Sequence, residues 1–194
     1  GPAAVVVPEG RQAVFGTNPL AFAVPGTEGP ALVIDQSTSA TALVNVRAAA
    51  EQGTLLPDDW AVDEQGVATT DPMAALSGAL RAFGGYKGGN IALMVEMLSA
   101  GLSDANWSCD APSFITGEDC PGIGMFLVVM SPALCFPSLS NDCAPSSKDQ
   151  SEAAFKTRIS SYLNRFTEEF GGRVPGSNRF ESALANRSGV KVPA

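Results

Sequence analysis

Phe15-Gly-Thr-Asn-Pro-Leu-Ala-Phe-Ala-Val-Pro25 and, a few residues on, Ala31-Leu-Val-Ile-Asp-Gln-Ser-Thr-Ser39 decide how this chain folds. Leu20 to Val24 is a continuous apolar run closed by Pro25-Gly26, and Ala31 to Ile34 is another, ending at Asp35. Apolar runs of this length, bounded by Gly and Pro, suit strands of a buried sheet. From about Ala40 to Gln52 the pattern turns helical, and Gly53 supplies a C-terminal stop. Strand, strand, then helix predicts an α/β (α+β) chain, preceded by the apolar Ala3 to Val7 and by Ala13 to Phe15 leading into Gly16, in a first third that reads as strands and turns.

Downstream, Leu55 to Thr70 reads as loop or short strand, and Asp71-Pro72 as a helix start, a capping carboxylate followed by proline at the first helical position. That helix is expected to reach about Leu80. A glycine-rich loop, Phe83 to Gly89, then feeds a helix from about Asn90 to Leu102, in which Met94, Met97 and Leu98 read as core. Ile123 to Met130 is the strongest strand pattern in the chain, and 131–150 reads as an irregular loop. Ala154, Phe155, Ile159, Tyr162, Leu163 and Phe166 recur at helical spacing, with Gly171-Gly172 as the stop. A last helix is expected from near Ser177, carrying Phe180 and Leu184 and ending at Gly189.

Composition excludes several classes. The 194 residues are 45% hydrophobic and 16% charged, against roughly 25% charged in an ordinary domain, so a disordered solvating chain is ruled out. A formal charge of −8 argues against a nucleic-acid surface. No apolar run reaches the ~18 residues of a membrane span, and the longest candidate, Ile91 to Leu102, is interrupted by Glu96. Histidine is absent, so general acid–base work and metal ligation would fall to other residues. Cys109, Cys120, Cys135 and Cys143 include no C-x-x-C pair, which argues against zinc. A disulfide is compatible with them, but reduced cytosolic thiols are the default, and the expected location is cytoplasmic. The Gly1-Pro2 start suggests a trimmed or processed chain.

Three stretches can carry chemistry: Gly16 to Pro19, Asp35 to Ser39, and the glycines around Lys87. Hydroxyl side chains and free backbone N–H groups at a helix start can hold a phosphate or carboxylate. The plainer alternative is that Ser37 or Thr38 caps the helix. Lys87 among glycines offers a cation where the backbone can approach a ligand closely. Neither a P-loop nor a G-x-G-x-x-G fingerprint is present.

The order of these stretches, with Trp60-Ala-Val-Asp-Glu-Gln-Gly66, Thr69-Thr-Asp-Pro72, Phe83-Gly-Gly-Tyr-Lys-Gly88, Asn106-Trp-Ser108, Gly172-Arg-Val-Pro-Gly176 and Gly189-Val-Lys-Val-Pro193, closely resembles the malate/L-lactate dehydrogenase family. This group holds NAD(P)-dependent 2-oxoacid and cyclic-imine reductases without a Rossmann fold. The resemblance implies a large, mostly antiparallel or mixed sheet flanked by helices, with 1–150 as a cofactor-binding domain and 151–194 as a helical segment on the same unit. It places Asp35, Gln36, Ser37, Tyr86, Lys87, Gly176, Ser177 and Asn178 around NAD or NADP, and Thr17 near substrate and nicotinamide. The implied substrate is a 2-oxo or 2-hydroxy acid or a cyclic imino acid.

The family's catalytic histidine and substrate-binding arginine lie upstream of the matching region, so no catalytic residue is assigned within this chain. The expected partner is a second copy, as a homodimer, or another polypeptide supplying the N-terminal part. Lys87-Gly-Gly-Asn90 departs from the family's Lys-Gly-x-Gly, and Arg173 and Arg179 are candidates to meet a 2′-phosphate. The alternative is a non-catalytic or repurposed relative that uses the scaffold to bind a ligand or partner.

Overall fold

The computed structural model describes residues 1–114, 117, 119–135, 147–178, 180 and 182. In chain order the elements are β1 (Val5–Val6), β2 (Ala13–Phe15), β3 (Leu20–Pro25), β4 (Pro30–Gln36), α1 (Leu43–Gln52), β5 (Ala61–Val62), α2 (Pro72–Ser77), β6 (Ala79–Arg81), α3 (Tyr86–Glu96), α4 (Pro132–Cys135) and α5 (Lys148–Glu168). A π-helical turn, Met97–Gly101, continues α3. The chain divides into a first unit, Gly1–Leu20 with Gln36–Leu127, and a second, Ala21–Asp35 with Val128–Ala194.

The first unit is built on a mixed sheet in the order β2-β1-β6-β5. β1 runs antiparallel to β2 and parallel to β6, and β5 runs antiparallel to β6. Val5 lies opposite Phe15 and Leu80, and Leu80 opposite Ala61. These four side chains share a core with Val46 of α1, Ala75 of α2 and Ala92 of α3. Their neighbours Val6, Ala79 and Val62, pointing the other way, form a smaller cluster. The two-residue strand period thus puts β1, β5 and β6 to use on both faces of the sheet.

Local chemistry sets the element ends. Asp71 accepts the Met73 N–H at 2.9 Å and Pro72 opens α2, as the dipeptide predicts. Gly53 closes α1 at φ 63°, its N–H returning to Ala49 and Ala50. α2, however, stops at Ser77 rather than near Leu80. A Cβ on Gly78 would lie 2.0 Å from the Val62 carbonyl oxygen, so glycine is needed where the chain turns against β5. Ala79–Arg81 then pair as β6 instead of extending the helix. The third helix also begins earlier than expected. Gly84 and Gly85, at φ 59° and 65°, make the turn alone, and the helix starts at Tyr86. Met94 and Met97 on it are each 46% exposed, not core.

The second unit pairs β3 with β4 across a turn in which the Gly26 N–H donates to Gly29 O at 2.6 Å. α5 carries a capping box between Ser147 and Gln150. Ala154, Phe155, Ile159, Leu163 and Phe166 are half-buried as the helical spacing predicts, while Tyr162 is 60% exposed. The backbone turns helical again at Ser177. Leu184, the expected stop at Gly189, Cys143 and Arg179 lie outside the described residues.

The clearest departure from expectation is Ile123 to Met130. It forms no strand, and Met125 and Val129 are 82% and 85% exposed. Apolar alternation equips a segment to line a sheet, but a strand exists only when a neighbour completes its hydrogen-bond ladder. The loop expected over 131–150 is also interrupted at its two ends, by α4 and the start of α5.

Candidate functional site

In the first unit, three stretches far apart in sequence are stitched together by backbone bonds. Thr38 donates its N–H to Thr17 O at 2.9 Å and its hydroxyl to the same oxygen at 3.0 Å. Phe83 N–H donates to Thr38 O at 3.0 Å, and Ala40 N–H to Arg81 O at 2.7 Å. Ser39 bridges Ala82 antiparallel. The segment after β4 therefore runs as a strap between the Gly16–Pro19 turn and the chain leading into α3. This strap, rather than a helix, occupies Ser37 to Thr41.

That placement corrects both readings of the serines. α1 starts at Leu43, its N-cap is Ala42, and no side chain caps it. Ser37 Oγ instead lies 2.9 Å from Ser39 Oγ, Ser39 donates to Thr41 O at 2.7 Å, and Thr41 Oγ1 accepts from Asn45 at 3.1 Å. The hydroxyl groups knit the strap, and the free N–H groups of α1 lie farther along the chain. β4 likewise continues one residue past Asp35, to Gln36, and both are exposed.

Lys87 is the second residue of α3, exposed, and makes no ion pair among the described residues. Tyr86 beside it is 63% exposed and borders a cavity of about 480 Å³, also lined by Pro8, Arg11, Arg81 and Gly85. The glycines divide their roles. Gly84 and Gly85 face open space, so ligand backbone contact is sterically available there. Gly88 and Gly89 are buried, where a Cβ would meet Phe83 O at 1.9 Å and Pro8 Cδ at 2.7 Å. Asn90, standing where the family pattern has glycine, is helical and needs no unusual backbone angle.

In the second unit, Gly176 sits at φ 88° with its α-carbon against Val33, where a Cβ would come within 2.9 Å of the Val33 carbonyl. Val33 N–H donates to Pro175 O at 3.1 Å. Ser177 donates to Val174 O at 3.1 Å, and Asn178 is exposed. The Gly176–Asn178 turn is thereby docked on the strand that carries Asp35. Gly176 and Ser177 also line a cavity of about 260 Å³ with Val33, Ser160, Asn164 and Phe180.

One cluster escapes the sequence motifs. Glu96 is 6% exposed, and its Oε2 accepts from Asn18 Nδ2 at 2.7 Å and from Ser108 Oγ at 2.8 Å. Its Oε1 accepts the Ser108 N–H at 2.5 Å. Asn18 and Ser108 are equally buried, at 5% and 3%. The available signal is a lone glutamate inside an apolar helix, which in sequence reads only as an interruption.

Chemically, the first unit presents an exposed lysine, a pair of open glycines, a half-buried serine and the Thr17 turn on one strapped framework. That donor set suits an anionic ligand, and a dinucleotide's phosphates fit it: a cation with no ion pair among the described residues, hydroxyl donors and backbone that a ligand can approach. Among the described residues, no three His, Cys, Asp or Glu side chains are placed to hold a metal ion. Cys109 and Cys120 are free and exposed. Partial desolvation and the neighbouring Asp110 carboxylate push the Cys109 thiol above its usual range. No helix among the described residues is long and apolar enough to cross a membrane.

The chain matches the malate/L-lactate dehydrogenase family over residues 1–192. Delta(1)-pyrroline-2-carboxylate reductase 2 of Burkholderia multivorans is 36% identical over 191 residues, covering 97% of this chain and 52% of that protein. (2R)-3-sulfolactate dehydrogenase (NADP(+)) of Chromohalobacter salexigens is 35% identical over 193 residues, 99% of this chain and 53% of its own. The crystal structure of delta1-piperideine-2-carboxylate reductase from Pseudomonas syringae superposes with a TM-score of 0.79 at 34% identity, over 99% of this chain and 54% of that one. This chain spans about half the length of the relatives it matches.

Proposed function

Because the chain belongs to the malate/L-lactate dehydrogenase family, we propose that it binds a nicotinamide dinucleotide and serves hydride transfer to or from C2 of a 2-oxo or 2-hydroxy acid or a cyclic imino acid. The observation that carries this reading is the strap, which ties Thr17, Ser37 and the approach to Lys87 into one framework. When bound, the cofactor supplies the hydride chemistry, and the protein supplies position and electrostatics.

Within that reading Lys87 holds a phosphate, and Gln36, Ser37 and Tyr86 contact the cofactor from the first unit. Thr17 faces the substrate. Asp35, Gly176, Ser177 and Asn178 are assigned to the cofactor by family resemblance alone. The chain has no histidine, so the proton that accompanies hydride is not assigned to any of its residues. A second reading is a non-catalytic or repurposed relative that uses the scaffold to bind a ligand or partner.

Titration with NADH and with NADPH, followed by fluorescence, tests the site. Lysine–phosphate contacts contribute roughly 1.5–3 kcal/mol, so Lys87→Ala is expected to weaken binding about ten- to a hundredfold. Unaltered binding in Lys87→Ala would remove α3 from the site. Assay of the same protein with pyruvate, oxaloacetate and a cyclic imine separates the two readings, since turnover excludes the second.

A further inference from the structure

Glu96 is the last residue of α3, at the point where the helix passes into the π-turn. Such turns cost helix regularity and occur often at functional sites. Among the described residues no ion pair includes Glu96. Its charge is met instead by three donors from two remote segments, Asn18 Nδ2, Ser108 Oγ and the Ser108 N–H. Only an acceptor-only group can receive all three; an amide would turn N–H groups toward donors.

The recipient of this arrangement is Asn18. It adopts φ 36°, on the left-handed side that non-glycine residues seldom occupy, and its amide forks to Ala92 O at 3.0 Å and to Glu96. Ser108 Oγ closes the triangle toward Asn18 Oδ1 at 3.4 Å. Thr17 immediately precedes Asn18, and its carbonyl is held by Thr38 on the other side. Among the described residues the Thr17 hydroxyl makes no hydrogen bond, so the peptide is clamped while the side chain stays available.

We propose that Glu96 is a positioning residue, which through Asn18 and Ser108 fixes the Thr17 turn for the ligand that Thr17 meets. The proposal rests on the reading of Thr17 as substrate-facing. A carboxylate is needed for its geometry of acceptance and not for its volume.

Amide hydrogen exchange on the 194-residue chain tests this, because Thr38 N–H reports the Thr17 carbonyl and Leu80 N–H, bonded to Ala4 O, reports the sheet. Glu96→Gln is expected to speed Thr38 exchange by about tenfold or more while leaving Leu80 unchanged. Asn18→Asp alone sets two carboxylates against each other and is expected to be worse. Glu96→Asp keeps an acceptor-only carboxylate at this position and is expected to recover part of the Thr38 protection that Glu96→Gln loses. Equal acceleration at Thr38 and Leu80, no change at Thr38, or Glu96→Asp no better protected than Glu96→Gln would each overturn the proposal. NADPH titration of the unsubstituted chain reads the functional assignment separately. Absence of binding there removes that assignment, while the exchange data still decide whether Glu96 holds Thr17.

Discussion

The two units of this chain draw on similar residues and treat them differently. In the first, Val5, Val46, Ala61 and Ala92 are fully buried, and four strands with three helices supply them to one core. In the second, Ser151 is the sole buried residue among those described, although β3 and β4 are rich in Ala, Val, Leu and Phe. Apolar composition therefore did not decide burial. What distinguishes the units is the number of elements brought together from distant parts of the sequence. A hairpin and a helix each have one apolar side, and burying both needs layers on both sides of a sheet.

The sharpest way to break this contrast is to cut into each unit with comparable substitutions. Leu80→Ala removes a side chain that is 1% exposed from the centre of the sheet. It is expected to cost about 2–5 kcal/mol in denaturant unfolding. Val129→Ser, at a residue 85% exposed, should stay within about 0.5 kcal/mol. Equal losses would show that the second unit is packed in solution as tightly as the first.

A smaller effect is expected at Gly78, where a methyl group would collide with the Val62 carbonyl. Gly78→Ala should destabilise the first unit by about 1–3 kcal/mol, typical of forced overpacking, read as a lower melting temperature. A neutral result would mean that the α2–β6 junction is looser than the sheet it joins.

The smallest effect also sharpens the contrast most directly, because one chemistry is present in both units. Asp71 caps α2 and Ser147 caps α5. Each replaced by alanine should cost about 1 kcal/mol locally. Asp71→Ala is expected to shift the cooperative unfolding midpoint, since α2 packs on the core. Ser147→Ala is expected to lower helical circular dichroism with little movement of that midpoint.

Local signals were legible where one residue settles a local geometry. Asp71-Pro72, Gly53 and the α5 spacing all gave the right elements. Signals that depend on a distant partner were not. Gly78 ends a helix because of a carbonyl sixteen residues earlier, and nothing adjacent announces it. Ile123 to Met130 carries a strong strand pattern with no strand paired to it among the described residues. At the candidate site, Thr17, Ser37 and Lys87 are proposed from the order of motifs. The strap that joins the first two to the approach to α3 adds hydroxyl bonds to main-chain bonds, and the main-chain partners are what side-chain identity scarcely records. Glu96 shows the same limit, since its meaning lies in Asn18 and Ser108, 78 and 12 residues away.

The π-turn at Met97–Gly101 makes one residue of the segment expendable to the helix. A π-turn holds one residue more than an α-turn, so losing one residue there would close it into regular helix and leave the stretch from Leu102 to Ser108 at the same angle, with Ser108 still facing the Glu96 carboxylate. In the regular turns of α3 each residue advances the chain by about 100°, so the same loss there would turn Glu96 away from Asn18. The widened turn is where the length of this helix can drift without disconnecting it from the Thr17 turn.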